Sequence, residues 1–480
     1  MLSHIYERKS TEMLAYKEKI HDWFEAHKQE MLLCLQELVR VPSVASDPEP
    51  NAPYGKEVAR ALDTALAMAE RFGLETKNYD YRIGEAVLPG TSGKSLGMIG
   101  HLDVVPVSDG WSFPPFEGHI DENGFIVGRG VADDKEGAVL GLFVMRCIRE
   151  LGLPFPHEIK LLFGCDEETG MTDVAYYAEH ARHADLYLVP DAGFPVCFAE
   201  KGICGGTLRS KPVTDGSILG AYAGMASNVV PDSAWVELPG RAEDFAGMDT
   251  AAVTVSAGEK GVRFTAKGIS SHAAEPERSE NAIFVLASFL LGHSLLSGQA
   301  REAFLFVQKV LSGCKGEGLG IQTSHPDTGC LTCIGGMLRF DGCLTLNINI
   351  RYPQSTDGAS LEAAISACAA ENGFVYEDVS DSAGTYHAPD DPLVTTLTAI
   401  YNDITGQDAK PYMMGGGTYA RHLPNAVAFG PEMELDGIPA CPYKGGVHQT
   451  DEHYHVLMLM SAAEVYCNAL LAIAENPAIL

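Results

Sequence analysis

The sequence predicts an α/β protein whose main domain, a mostly parallel mixed sheet flanked by helices, is interrupted by an inserted α+β domain. Three observations carry this. Short apolar runs alternate with helical patterns early in the chain, as in SLGMIG, GFIVGRG, EGAVLGLFVMRCIREL, EIKLLFG and DLYLVP, the texture of strands crossed over by helices. From about Gly205 to Ala383 the texture changes to paired strands between helices, as in VTVSAGEKGVRFTAKG, SENAIFVLASFLLGHSLL and CLTLNINIRYP. From about Pro389 the first texture returns and ends in VLMLMSAAEVYCNALLAIA. The expected division is therefore 1–204 with 384–480 for the discontinuous main domain and 205–383 for the insert.

Taken in order, Trp23, Met31, Leu32, Leu35, Leu38 and Val39 recur at helical spacing between Ile20 and Val41, and Pro42 stops the pattern. A second helical pattern runs from about Glu57 to Phe72 and ends at Gly73, the residue that tolerates a left-handed helix end. In the insert, Leu344, Leu346, Ile348 and Ile350 fill one face of a strand and leave Thr345, Asn347, Asn349 and Arg351 on the other. That second face reads equally as an ordinary solvated one or as a binding surface.

At 480 residues with 46% hydrophobic content, the chain has room for two domains with large cores. No run approaches the roughly 20 apolar residues of a membrane span, and the opening MLSHIYERKSTEM lacks a secretory apolar core, so the expected location is cytoplasmic. A formal charge of −30 repels polyanions, which argues against nucleic acid and anionic membranes as partners. Twelve cysteines without an export signal read as packed thiols, and the lone CxxC at Cys330 and Cys333 has no second pair to complete a zinc ribbon.

Five metal-ligand residue types, His101, Asp133, Glu168, Asp191 and His448, each fall where an apolar run meets a loop, in GHLDVV, GRGVADDK, GCDEETG, LVPDAG and GGVHQTDE. Carboxyl ends of strands in open α/β sheets are where ligands gather. Each residue alone has a plain alternative: capping for Asp133 and the Glu167–Glu168 pair, a turn for Asp191, a solvent-facing ring for His101 or His448. Their joint placement points to a dinuclear site. Asp103, two residues beyond His101, is placed to steady its ring. Of the paired glutamates, one can ligate while the other accepts a proton from an activated water. Three carboxylates, two neutral imidazoles, two divalent cations and a hydroxide sum to zero charge, and such a pair suits amide hydrolysis.

The strings GHLDVVP, GRGVADDK, DEETG, PDAGFP with EKG, GISSHAAEP, NINIRYP, GGGTYAR and HQTDE resemble, in order, the di-zinc exopeptidases related to aminoacylase and glutamate carboxypeptidase, most closely the PepV-type dipeptidases. The resemblance runs from about Val39 to the last helix. It implies His101 and Asp191 as ligands of one ion, Glu168 and His448 of the other, and Asp133 as the bridge, through a cis peptide to Asp134. It further implies Glu167 as the general base, Asp103 as the residue that steadies His101, and a lid in which His272 stabilises the tetrahedral intermediate and Arg351 binds the substrate carboxylate. Asn228 resembles a substrate-contacting asparagine, and Gly415, Gly416 and Gly417 a pocket-lining loop. Two departures stand out: Glu136 where the family commonly has glycine after DDK, and VSDGW in place of GDGW.

The expected protein is a metallo-dipeptidase using two divalent ions, zinc first and manganese or cobalt as alternatives. A small dipeptide is its expected substrate. The resemblance to PepV-type enzymes implies an enlarged lid that supplies both residues within one chain, so that a dimer is not required. Three other readings are carried: an N-acyl-amino-acid deacylase or carboxypeptidase of the same family, a catalytically inactive amino-acid-binding relative, and a metal-storage protein.

Overall fold

The computed structural model describes residues 2–480, with side chains from Tyr16 onward. The chain divides into two compact units, Met1–Phe198 with His387–Tyr412 and Thr418–Leu480, and Ala199–Tyr386 with Met413–Gly417. The short return at Met413–Gly417 was not foreseen: the glycine segment 415–417, placed by sequence with the main domain, clusters with the second unit instead.

In the first unit the main sheet runs in the order Glu75–Tyr79, Ile83–Leu88, Glu158–Gly164, Ser95–His101, Leu186–Val189 and Ala426–Ala428, with Cys197 paired to Ala428 at its end. Its centre is parallel: Ser95–His101 pairs in parallel with Glu158–Gly164 and Leu186–Val189, and the latter with Ala426–Ala428. The flanking pairings are antiparallel. All seven residues of Ser95–His101 are buried, the continuous apolar pattern expected of a parallel strand covered on both faces. The run GFIVGRG is not part of this sheet. Its strand Phe125–Val127 lies in a separate three-stranded sheet between His119–Ile120 and His453–His455, a pairing across more than 300 residues that a local pattern cannot reveal.

Helices Leu2–Val39, Lys135–Leu151 and Pro392–Thr405 pack against Val456–Glu475. That last helix corrects an expectation, since by length and hydropathy it could cross a membrane. With 67% of its apolar window buried among those helices, it serves as the core helix of this unit.

A buried polar knot ties three strands of the sheet to the helix Thr172–His180. Glu85 accepts from Lys160 Nζ at 2.9 Å, from Tyr177 at 2.7 Å and from Tyr79 at 2.9 Å. Burial raises the Glu85 carboxyl, but the Lys160 and Tyr177 hydrogen bonds outweigh it and hold the group below its ordinary value. A depressed carboxylate stabilises the fold above its unfolded pKa, and that stabilisation fades as pH falls through the folded value. Lys160→Ala strands a buried carboxylate and is expected to cost about 3–5 kcal/mol. Urea unfolding of the variant reads this directly, and an unchanged midpoint would contradict it.

The second unit is an eight-stranded antiparallel sheet in the order Val253–Ala257, Val262–Lys267, Ser233–Leu238, Gly220–Ala223, Thr332–Phe340, Leu344–Tyr352, Gly202–Ser210 and Phe374–Ser382. Helices Ala282–Gly292 and Gly358–Glu371 pack on it. Leu344, Leu346, Ile348 and Ile350 are buried in its core. The opposite face is not simply solvated, since Asn349 and Arg351 are also buried.

Candidate metal centre

Three neighbouring parallel strands of the first unit deliver the site. His101 is the last residue of Ser95–His101, Glu167 and Glu168 follow Glu158–Gly164, and Asp191 follows Leu186–Val189. Side chains carried at the carboxyl ends of adjacent parallel strands converge there. Asp133 precedes the helix Lys135–Leu151, and the Asp133–Asp134 peptide is cis. His448, on left-handed backbone at φ 63°, comes from the connection ahead of the last helix.

The Asp133 carboxylate faces both imidazoles. Its Oδ1 lies 2.8 Å from His101 Nε2 and its Oδ2 lies 2.9 Å from His448 Nε2. Glu168 Oε2 lies 3.1 Å from the same His448 nitrogen. Donor atoms of His101, Asp133 and Glu168 all lie within 4.8 Å of one another. Asp191 stands close enough that the charges of Glu167, Asp133 and Asp134 add to burial in raising its carboxyl well above the ordinary value.

Asp103 lies against both the His101 ring and the glutamate pair. His101 Nδ1 lies 2.9 Å from the Asp103 backbone carbonyl, which fixes the ring hydrogen there, while the carboxylate is 3.6 Å away. That carboxylate accepts from the backbone N–H groups of Glu167 and Glu168, at 3.2 and 3.1 Å. It therefore orients the glutamate pair more directly than the ring.

Three further carboxylates brace the centre, and two of them, Glu452 and Asp173, were not singled out from sequence. Glu452 pairs with Arg129 and accepts from the N–H groups of Gly130 and Ala132 at 2.9 and 3.0 Å, clamping the turn ahead of Asp133. Asp173 accepts from Cys165 N and Asp166 N at 2.7 and 3.1 Å, clamping the turn ahead of Glu167. Asp134 accepts from His101 N at 3.2 Å. Glu452 does sit in the HQTDE string, but nothing in its spacing distinguishes a clamp from a surface acid. Lys135 donates to the carbonyls of Leu38 and Val41, and burial pushes its amine down to about 7.

The electrostatics call for cations. Hydrogen bonds to Asp133 and Glu168 push His448 up to about 10. Burial lowers His101, but the Asp133 carboxylate more than reverses this. Burial raises Asp133 and the two rings overcome it, holding the carboxyl well below the ordinary range. Burial, reinforced by Glu168, Asp133 and Asp103 against the opposing His101, pushes Glu167 up to about 8. Six acids, Asp103, Asp133, Asp134, Glu167, Glu168 and Asp191, interact with the two rings, and Glu168 Oε1 is buried without a hydrogen-bond partner. Oxygen and imidazole donors with an excess of acid suit divalent ions such as zinc, manganese or cobalt.

The remaining sequence-identified residues belong to the second unit. Val229 and His272 form an isolated antiparallel bridge, and Asn228 accepts through its carbonyl from Ala273 N at 2.9 Å. Burial lowers His272, and the Arg351 charge adds to the effect. Arg351 donates from Nε to Asn349 Oδ1 and from Nη1 to the Gly415 carbonyl, both at 3.0 Å. Gly415 packs so closely that a Cβ would lie 2.6 Å from that of Ala274, which accounts for a glycine there. His272, Arg351 and the glycine segment thus form one neighbourhood.

Comparison with known proteins adds four findings. The model of peptidase family M20/M25/M40 matches residues 97–472. The chain is 30% identical over 465 residues to the putative dipeptidase YtjP of Bacillus subtilis (strain 168), covering 93% of this chain and 98% of that relative. It is also 30% identical over 431 residues to the Beta-Ala-Xaa dipeptidase of Lactobacillus delbrueckii subsp. lactis, covering 85% and 90%. Among solved structures, the fold is similar to that of the di-peptidase Dug1p from Saccharomyces cerevisiae, with a TM-score of 0.56 at 13% identity over 96% of this chain and 99% of that one.

Proposed function

The chain belongs to peptidase family M20/M25/M40 and is a hydrolase of the metallopeptidase kind, and on that premise we propose that it is a dipeptidase acting on dipeptides with a free C-terminal carboxylate. The observation that carries the reading is the Asp133 carboxylate, with one oxygen toward each of two imidazoles and a second glutamate, Glu167, beside Glu168. In this reading His101 and Asp191 would hold one divalent ion and Glu168 and His448 the other, with the Asp133 carboxylate available to both. When bound, the ions activate water and polarise the scissile carbonyl.

The chain's own residues do the rest. Glu167, kept basic enough by its acidic surroundings, takes the proton of the attacking water and returns it to the leaving amine. Asp103 holds the backbone of both glutamates. His272 donates to the developing oxyanion. Arg351, with Nε and Nη1 tied back to Asn349 and Gly415, receives the substrate carboxylate, a geometry that a guanidinium serves better than an ammonium. Asn228 and the segment Gly415, Gly416 and Gly417 contact the substrate. Zinc is the proposed ion, and the protein is proposed to work as a cytoplasmic monomer.

The names of the two relatives support dipeptides as substrates. Metal-stripped protein reconstituted with zinc, manganese or cobalt and assayed on dipeptides, N-acetyl and N-succinyl amino acids tests the assignment. Turnover of dipeptides alone supports it, while turnover restricted to N-acyl substrates replaces it with a deacylase, and silence with every ion favours a binding protein. Arg351→Met removes a charge-assisted contact and is expected to raise KM for dipeptides roughly 10- to 100-fold, with a smaller change in kcat. An unchanged KM would remove Arg351 from the binding role.

A further inference from the structure

The connection that carries His448 holds a second pair of reactive side chains, which the metal centre does not use. Of the twelve cysteines, Cys441 is the exposed one. Its Sγ lies 3.0 Å from His453 Nε2 and 3.5 Å from the Tyr443 carbonyl. His453 Nδ1 lies 3.0 Å from the Asp451 backbone carbonyl. A carbonyl only accepts, so Nδ1 carries the ring hydrogen and the neutral ring presents its lone pair at Nε2, toward the thiol. Phe125 and Tyr443 both pack against the ring, at centroid distances of 5.7 and 5.8 Å. The Asp451 carboxylate is anchored by the N–H and hydroxyl of Ser112, both at 2.7 Å, so the carbonyl that sets the tautomer is itself fixed.

We propose that Cys441 and His453 form a thiol–imidazole dyad that makes Cys441 a site of S-thiolation by low-molecular-weight disulfides. The arrangement is the one by which an adjacent base activates a weak nucleophile whose own base is oriented by a third group. As Sγ attacks one sulfur of the disulfide, its proton passes to His453 Nε2. A new S–S bond forms at Cys441, the small disulfide's S–S bond breaks, and the departing thiolate takes the proton from the imidazolium. One thiol and one disulfide become one mixed disulfide and one thiol, with no other oxidant. Partial burial and the Asp121 carboxylate, which accepts from Tyr443 at 3.1 Å, raise the isolated thiol, so the base in contact with it supplies the reactivity. The other charged group near the ring, Asp451, directs its carboxylate to Ser112. Cys441 lies outside the proposed metal ligands, and the inference does not depend on which substrate the peptidase takes.

The test is time-resolved peptide mass mapping of the metal-loaded full-length protein with oxidised glutathione at pH 7. A synthetic peptide of residues 436–446 serves as the unactivated reference thiol. The first adduct is expected at Cys441, at least about ten-fold faster than on the peptide, and Cys441→Ser removes it. His453→Gln, which keeps a polar group near Nε2 but no base, slows the folded protein's reaction to about the peptide rate. First reaction at another cysteine, or a Cys441 rate equal to that of the peptide, overturns the proposal. Should His453→Gln fail to fold, the native protein against the peptide still decides.

Discussion

Replacing Glu167 with glutamine will lower kcat about 10²- to 10⁴-fold, the usual share of a positioned general base, while the protein keeps its divalent ions. The carboxylate sits among Glu168, Asp133 and Asp103, with burial as the largest influence raising it, so it is a stronger base than an ordinary glutamate. Its backbone is held by the Asp103 carboxylate, and glutamine preserves both shape and backbone contact. Loss of rate with metal content intact assigns proton transfer to this side chain. A variant that turns over at the wild-type rate removes Glu167 from the chemistry, and one that loses its ions as well makes it a ligand instead.

Asp133→Ala will act on binding rather than on proton transfer. Among the described residues this carboxylate alone touches both imidazoles, at 2.8 and 2.9 Å, so its removal takes an oxygen from each of the two proposed ion positions at once. Even partners one step removed from a metal are worth 10- to 100-fold in affinity, so loss of the shared carboxylate is expected to weaken divalent ion binding on the order of 10²-fold or more and to abolish measurable turnover. Titration of the stripped variant with zinc, followed calorimetrically, reads this directly. Affinity within a few-fold of wild type would show that Asp133 is not shared.

The two variants separate because the residues sit on different turns with different clamps. Glu452 holds the turn before Asp133 through the N–H groups of Gly130 and Ala132, and Asp173 holds the turn before Glu167. A substitution at one turn leaves the other's bracing in place.

His101, Glu168 and Asp191 were legible in the sequence because each follows a short apolar run, and those runs became neighbouring parallel strands whose ends coincide. The helix from Lys56 to Arg71 and the apolar face of Leu344–Tyr352 followed from their periodicities. The clamps were not legible: Asp173 and Glu452 are buried acids that accept from backbone N–H groups, and a one-dimensional pattern does not distinguish them from surface acids. The hold of the Asp103 carboxylate on the glutamate backbone was not legible for a related reason. Alternation puts it on the same face as His101, but the backbone carbonyl reaches the ring first, leaving the carboxylate for Glu167 and Glu168. The return of Met413–Gly417 to the second unit and the strand Phe125–Val127 pairing with His453–His455 depend on contacts between segments far apart in sequence, where no local signal exists.

The central claim is that five side chains from five separate segments share two ions. Diffraction from zinc-reconstituted crystals, with anomalous maps on either side of the zinc absorption edge, tests it most directly. Two peaks are expected, one within bonding distance of His101 and Asp191, the other of Glu168 and His448, with Asp133 reaching both. A single peak, or peaks that leave Asp191 or His448 without an ion, would contradict the account.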